Sequence, residues 1–162
     1  MGLKIVSGGQ TGVDRAALDA AIELGLPHGG WVPKARMAED GIIPEKYCMT
    51  ELPAREYAAR TEKNVVDSDG TLILSRGELT GGSALTARLA RKHRRPCLHV
   101  DLAGIPPEAA PGKIRAWMKQ HRIKVLNVAG PRASGDPKIY GLSREILIQA
   151  LCRKRKGDRR FI

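Results

Sequence analysis

Short apolar runs alternate along this chain with amphipathic stretches, and polar turns rich in glycine separate them. Residues 3–7 form an apolar run that stops at Gly8-Gly9. Residues 15–24 then carry Ala17, Leu18, Ala21 and Ile22 at helical spacing, with Gly25 as the stop, so strand, tight loop and helix are expected in that order. A second short apolar segment at 29–32 ends at Pro33. The polar stretch 34–49 contains Gly41 and Pro44, keeps no period, and reads as a loop lying over a site. Tyr57, Ala58, Thr61 and Val65 predict a helix over 54–66, and 70–74 reads as a buried strand. The spacing of Ala84, Leu85, Ala87, Leu89 and Ala90 predicts a helix over 83–93. After it come a strand at 96–100, a helix at 106–120, a strand at 125–129 and a helix at 139–151. Strand followed by helix, repeated, predicts one α/β domain: a mostly parallel, doubly wound sheet with helices on both faces. Residues 1–152 are assigned to that domain and 153–162 to a basic tail.

In such a sheet the loops after the carboxyl ends of the strands converge on one crevice, so three polar loops should be neighbours in space. The first, Ser7-Gly8-Gly9-Gln10-Thr11-Gly12-Val13-Asp14-Arg15, resembles a phosphate cradle at a helix start. It is neither G-x-G-x-x-G nor a Walker motif, and a tight turn with Asp14 capping the helix is the plainer reading. The second, Arg76 to Ser83, offers the hydroxyls of Thr80 and Ser83 and the amides of Gly81, Gly82 and Ser83. Ser83 as a simple helix cap competes with that role. In the third, Gly130-Pro131-Arg132 follows a strand, and Arg132 either clamps an anion with its planar fork or is an exposed charge. Trp31, Lys34, Arg36 and Glu39 complete the candidate ligand set: Trp31 to stack on a base or pterin, or to sit in the core; Lys34 and Arg36 to meet phosphate; Glu39 to accept from the organic part.

Charge narrows the partners. Lys and Arg number 28 against 17 Asp and Glu, a formal +11, which suits a polyanion or a phosphorylated small molecule. The tail 153–160 supplies a net +5 of this, yet no aromatic interleaves it before Phe161 and no recognition motif accompanies it. A solvated terminus explains it more simply than nucleic-acid binding. Cys48, Cys97 and Cys152 are odd in number and widely spaced, which points to a reducing cytoplasm and away from a disulfide framework or thiolate zinc site. No signal-peptide pattern and no membrane-length apolar run is expected. Catalytic signatures are poor: no serine sits on a nucleophile elbow, and no histidine spacing supports a protein-held metal, so no catalytic or metal-ligating residue is assigned.

The first loop together with Gly29-Gly30-Trp31-Val32-Pro33-Lys34, Ala38-Glu39-Asp40-Gly41, Arg60-Thr61-Glu62-Lys63-Asn64-Val65, Gly81-Gly82-Ser83-Ala84-Leu85-Thr86 and Asn127-Val128-Ala129-Gly130-Pro131-Arg132 resembles the molybdenum carrier family. The resemblance runs from about Leu3 to Leu151. That family is similar to a wider Rossmann-like group holding lysine-decarboxylase-like cytokinin-activating proteins and DNA-processing proteins. The resemblance implies a compact Rossmann-like domain that binds molybdenum cofactor (molybdopterin) or a nucleotide through Gly8, Gly9, Gln10, Thr11, Gly12, Trp31, Lys34, Arg36, Glu39, Gly81, Gly82, Ser83, Gly130 and Arg132. It also implies a homo-oligomer, dimer or tetramer. The cytokinin-activating hydrolases are similar at Gly81-Gly82, but where their motif has glycine, threonine and glutamate this chain has Ala84, Leu85 and Arg88. That departure favours binding over nucleotide hydrolysis, with Glu39, Asp40 or Glu62 as the remaining candidate acids for a phosphoribohydrolase-like reaction.

Overall fold

The computed structural model describes residues 2–153, so the tail at 154–162 lies outside the described residues. Five strands make a wholly parallel main sheet: β1 (Lys4–Val6), β2 (His28–Gly29), β7 (Gly70–Ser75), β8 (Cys97–Asp101) and β9 (Val125–Ala129). Their spatial order is β2-β1-β9-β7-β8, which places the last strand of the chain at the centre. Five helices cover the sheet: α1 (Val13–Glu23), α2 (Tyr57–Val66), α3 (Gly81–Lys92), α4 (Ala110–Gln120) and α5 (Ile139–Leu151).

Two-sided burial explains the strand composition. Every residue of β7 is buried, so its sequence Gly-Thr-Leu-Ile-Leu-Ser carries no polar alternation. Leu72 and Leu74 join Ile5, Leu126 and Val128 in the main core, packed against Val13, Ala17 and Ala21 of α1, Ile114 and Trp117 of α4, and Ile146 and Leu147 of α5. Each fully buried Leu or Ile there contributes roughly 1.5–3 kcal/mol. A smaller cluster of Val65, Leu89 and Ala90 joins α2 to α3. The small residues on α1, with Ala16, Ala17, Ala20 and Ala21 all fully buried, let that helix lie close to both the sheet and α5. Among the described residues, no helix is long and apolar enough to cross a membrane.

Two local expectations change. The segment at 29–32 is split: His28–Gly29 pairs with β1, while β3 (Trp31–Val32) turns away to pair with β6 (Thr50–Glu51). The stretch 34–49 is more than a loop. It holds a short 3-10 turn and a minimal hairpin of β4 (Met37–Ala38) and β5 (Gly41–Ile42), and it buries Ala38, Ile43 and Tyr47 with Val32 and Leu18 in a core of its own. It packs on α1, and none of its residues lines the cavity described next.

Candidate functional site

The three glycine loops meet beyond the carboxyl ends of β7 and β9, around a cavity of about 330 Å³. Helix α3 starts on its wall. Thr80 is the cap residue but makes no capping bond through its side chain, and the first helical amide that finds a carbonyl is that of Ala84, on Thr80 O at 3.2 Å. The amides of Gly81, Gly82 and Ser83 therefore have no partner among the described residues, and all three residues line the cavity. Such a helix start presents oriented N–H groups and the positive end of the helix dipole to an anion.

The turn leading into α3 is fixed from the neighbouring strand. The Gly77 amide donates to Asp101 Oδ1 at 2.7 Å, and Ser75 Oγ donates to Gly77 O at 2.9 Å while lying 2.7 Å from His99 Nε2. The bonds from the Gly77 and Ala103 amides hold the Asp101 carboxyl below its ordinary value. Arg76 reaches across to the loop after β9, where its Nε donates to Asp136 Oδ2 at 2.7 Å, and this bond holds the Asp136 carboxyl low.

Two guanidiniums face the cavity. Arg132 comes from the loop after β9 and Arg60 from α2. Arg60 donates through Nη1 to Asp14 Oδ2 at 3.3 Å, and its Nε is buried with no partner among the described residues. Burial pushes the Asp14 carboxyl up, against the pull of Arg60 and of the Gln10 amide that donates to it. Gln10, 5% exposed, also lines the cavity, and its Nε2 is a second buried donor without a partner among the described residues. Behind Arg60 lies a niche of about 10 Å³ walled by Gly8, Asp14, Thr61, Asn64, Thr86 and Asn127, at the lower limit for one water.

The expected ligand residues separate into two groups. Gln10, Gly81, Gly82, Ser83, Gly130 and Arg132 line the cavity, and Gly8 lines the niche behind it. The others lie outside the cavity lining, and most of them hold loops. In the first loop the Gly9 amide donates to Ser7 Oγ, the Gln10 amide to Asp14 Oδ2 and the Thr11 amide to Gln10 Oε1, so these amides already have partners inside the chain. Asp14 thus binds the loop ahead of its helix rather than capping it. Gly12 sits beneath Pro131, whose carbonyl receives the Val13 amide at 3.2 Å. Thr11 and Glu39 are hydrogen-bonded to each other, and Arg36 gives its guanidinium to the carbonyls of Ile43, Pro44 and Tyr47. Trp31 donates through Nε1 to Asp67 at 2.8 Å, and Lys34 stands exposed at the start of the 3-10 turn. The other candidate acids are paired as well: Asp40 with Arg15, and Glu62 with His93 and Lys92.

Arg60 and Asp14 are among the cavity residues that sequence reasoning did not assign. Asp14 read as a cap, and Arg60 entered only as part of the stretch Arg60-Thr61-Glu62-Lys63-Asn64-Val65. The available signal was Arg60's place one residue before the buried Thr61 and four before the buried Asn64, on the packed side of α2.

Counting β9 first turns the order β2-β1-β9-β7-β8 into 3-2-1-4-5, the first five places of the doubly wound dinucleotide-binding order. The cavity then lies at the switch point, between the first and fourth strands of that count. A family profile described as circularly permutated YpsA SLOG matches residues 5–151. The chain belongs to the circularly permutated YpsA SLOG family. The family's name agrees with the strand order, in which the central strand is the last along the chain. A solved structure of a "putative molybdenum carrier protein" from Syntrophus aciditrophicus is similar at 55% identity, over 93% of this chain and 95% of that one, with a TM-score of 0.91. Comparison with curated proteins gives no match.

Proposed function

We propose that this SLOG-family domain is a carrier for a phosphorylated small molecule, either molybdenum cofactor or a nucleotide, held at the switch-point cavity. One observation carries the reading: the free amides of Gly81, Gly82 and Ser83 line the same 330 Å³ space as Arg132. An anion there accepts from an uncapped helix start and a guanidinium together. The likeness to a protein described as a molybdenum carrier supports the cofactor as cargo. The donor set fits the oxygens of that cargo, its phosphate or an oxyanion, because the wall offers N–H groups and guanidiniums. Neither cysteine nor histidine is among the lining residues, so molybdenum would arrive bound to its pterin dithiolene or as an oxyanion. The free cysteines support a reducing, cytoplasmic setting. A homodimer or tetramer is part of the proposal, and sedimentation velocity tests it.

A hydrolase is the second reading, favoured by the buried Asp14 carboxylate on the cavity wall. The deciding experiment is anaerobic purification followed by native mass spectrometry with metal analysis, then calorimetry of the stripped protein with phosphate esters. One phosphorylated ligand per chain, with affinity lowered at least tenfold in Arg132→Ala, supports the carrier. Turnover of a nucleoside monophosphate that is lost in Asp14→Asn replaces it with the hydrolase. A protein that neither co-purifies with nor binds any phosphate ester overturns both.

A further inference from the structure

The chain has six aromatic side chains, two Trp, three Tyr and one Phe, and their positions decide which can meet a ligand in the cavity. Trp31 is tied to Asp67, and Trp117 is buried in the main core. Tyr47 and Tyr140 both donate to Asp19. Phe161 lies outside the described residues. Tyr57 differs from all of these. It opens helix α2, is 41% exposed, and its hydroxyl has no partner among the described residues.

Its ring lies close to both arginines of the cavity. The Arg60 guanidinium carbon is 5.6 Å from the ring centroid and that of Arg132 is 5.7 Å away. Both distances are within reach of a cation–π attraction, which ties the ring to the two arginines while Tyr57 stays 41% exposed. The rim thus joins a half-exposed aromatic surface to an anion site whose donors are Arg132 and the start of α3.

From this arrangement we infer that Tyr57 is the platform on which the ligand's planar heterocycle stacks while its phosphate rests at Gly81, Gly82 and Ser83. The inference rests on the reading of the cavity as a phosphate site and deepens it: the ligand class is a phosphate ester of a flat ring, such as a purine or a pterin. Stacking discriminates weakly among rings, because every base presents a π face, but strongly between a ring and none. Tyr57 takes the place that composition suggested for Trp31.

Calorimetry with three probes tests it: ribose 5-phosphate, adenosine 5′-monophosphate and guanosine 5′-monophosphate, each against the wild-type protein, Tyr57→Ala, Tyr57→Phe and Arg132→Ala. The expected result is that at least one nucleotide binds wild-type protein about tenfold or more tighter than ribose 5-phosphate. Tyr57→Ala removes that gap and leaves ribose 5-phosphate unchanged, whereas Tyr57→Phe keeps it. A wild-type protein without the gap, or a gap that survives Tyr57→Ala, overturns the inference. So does an equal loss for all three probes in Tyr57→Ala, which would mean that Tyr57 acts only by holding the arginines. In those cases ribose 5-phosphate binding that falls in Arg132→Ala keeps the phosphate site standing, while absence of binding by every probe overturns site and platform together.

Discussion

The carboxylate of Glu39 accepts two hydrogen bonds from Ser134, 95 residues away in the chain: one from the amide at 3.1 Å and one from the hydroxyl at 2.6 Å. The Thr11 hydroxyl donates to the same carboxylate, and the Ala133 amide donates to Thr11 Oγ1 at 3.1 Å. The hairpin turn at 38–41, the first loop and the loop after β9 are therefore held by one acidic side chain.

Glu39 makes this latch pH-dependent. The bonds from Ser134 and Thr11 hold its carboxyl below the ordinary glutamate value. A carboxyl lowered in the folded state stabilises above its unfolded pKa and loses that contribution as pH falls through the folded one. Glu39→Gln is expected to melt below the wild-type protein at neutral pH, and the two melting curves should converge under acid. Thermal scans across pH check this; a gap that is constant with pH would show that the charge is irrelevant.

Gly8 and Gly12 are both glycines of the first loop, yet alanine should act differently at each. A Cβ on Gly8 would fall 1.4 Å from Arg60 Nη1, the end of a long side chain that can move away. Gly8→Ala should fold, displace Arg60 from Asp14, and weaken binding of phosphate esters. A Cβ on Gly12 would fall 2.2 Å from the Pro131 carbonyl oxygen, at φ +80, and backbone cannot yield in that way. Gly12→Ala should cost about 3 kcal/mol of stability. Denaturant titration beside calorimetry separates the two effects.

Asp19 collects the phenols of Tyr47 at 2.6 Å and Tyr140 at 2.5 Å, joining α1 to the 44–49 segment and to α5. Burial, then the bond to Asp19, pushes Tyr140 up to about 12 and Tyr47 higher still. Raised phenol values mean that the folded state keeps protons which the unfolded chain releases above pH 10, so stability should fall as pH rises beyond that point. Ultraviolet titration should find both phenols ionising late in the wild-type protein and earlier in Asp19→Asn.

Sequence reading reached the layered fold because burial on both faces writes strands as apolar runs and helices as a 3.6-residue period. Residues 125–129 and 139–151 are strand and helix in the structure over those same positions. It failed where packing is not periodic. Ala38, Ile43 and Tyr47 share a core with Val32 and Leu18, but their spacing fits neither a helix nor a strand. The convergence of the loops was legible, since it follows from parallel strands alone. The division of labour within them was not, because no local pattern shows that Asp14, Ser7 and Gln10 use the amides of the first loop while those of α3 stay free. Arg60 reaches the cavity, and Tyr57 reaches the two arginines that line it, only through the way α2 docks, a relation between elements and not a property of either segment.

Strand order was likewise beyond local pattern, and it carries the final prediction. The central place of β9 makes the fold a rotation of the ordinary order, so the natural cut should be reversible. The ends of the described chain are close: a Cβ on Gly2 would lie 3.6 Å from the Arg153 guanidinium. A short glycine–serine linker from Arg153 to Gly2, with new termini opened between α4 and β9, gives a chain that begins on its central strand. Closing so short a loop costs little, so this permutant should unfold cooperatively within about 1 kcal/mol of the parent and bind the same phosphate esters. Circular dichroism melts and calorimetry check both. A permutant that folds without binding would show that the 121–124 turn, remote from the cavity, holds β9 in register with β1 and β7. A permutant that does not fold would show that β1 must precede β9 along the chain for the sheet to assemble.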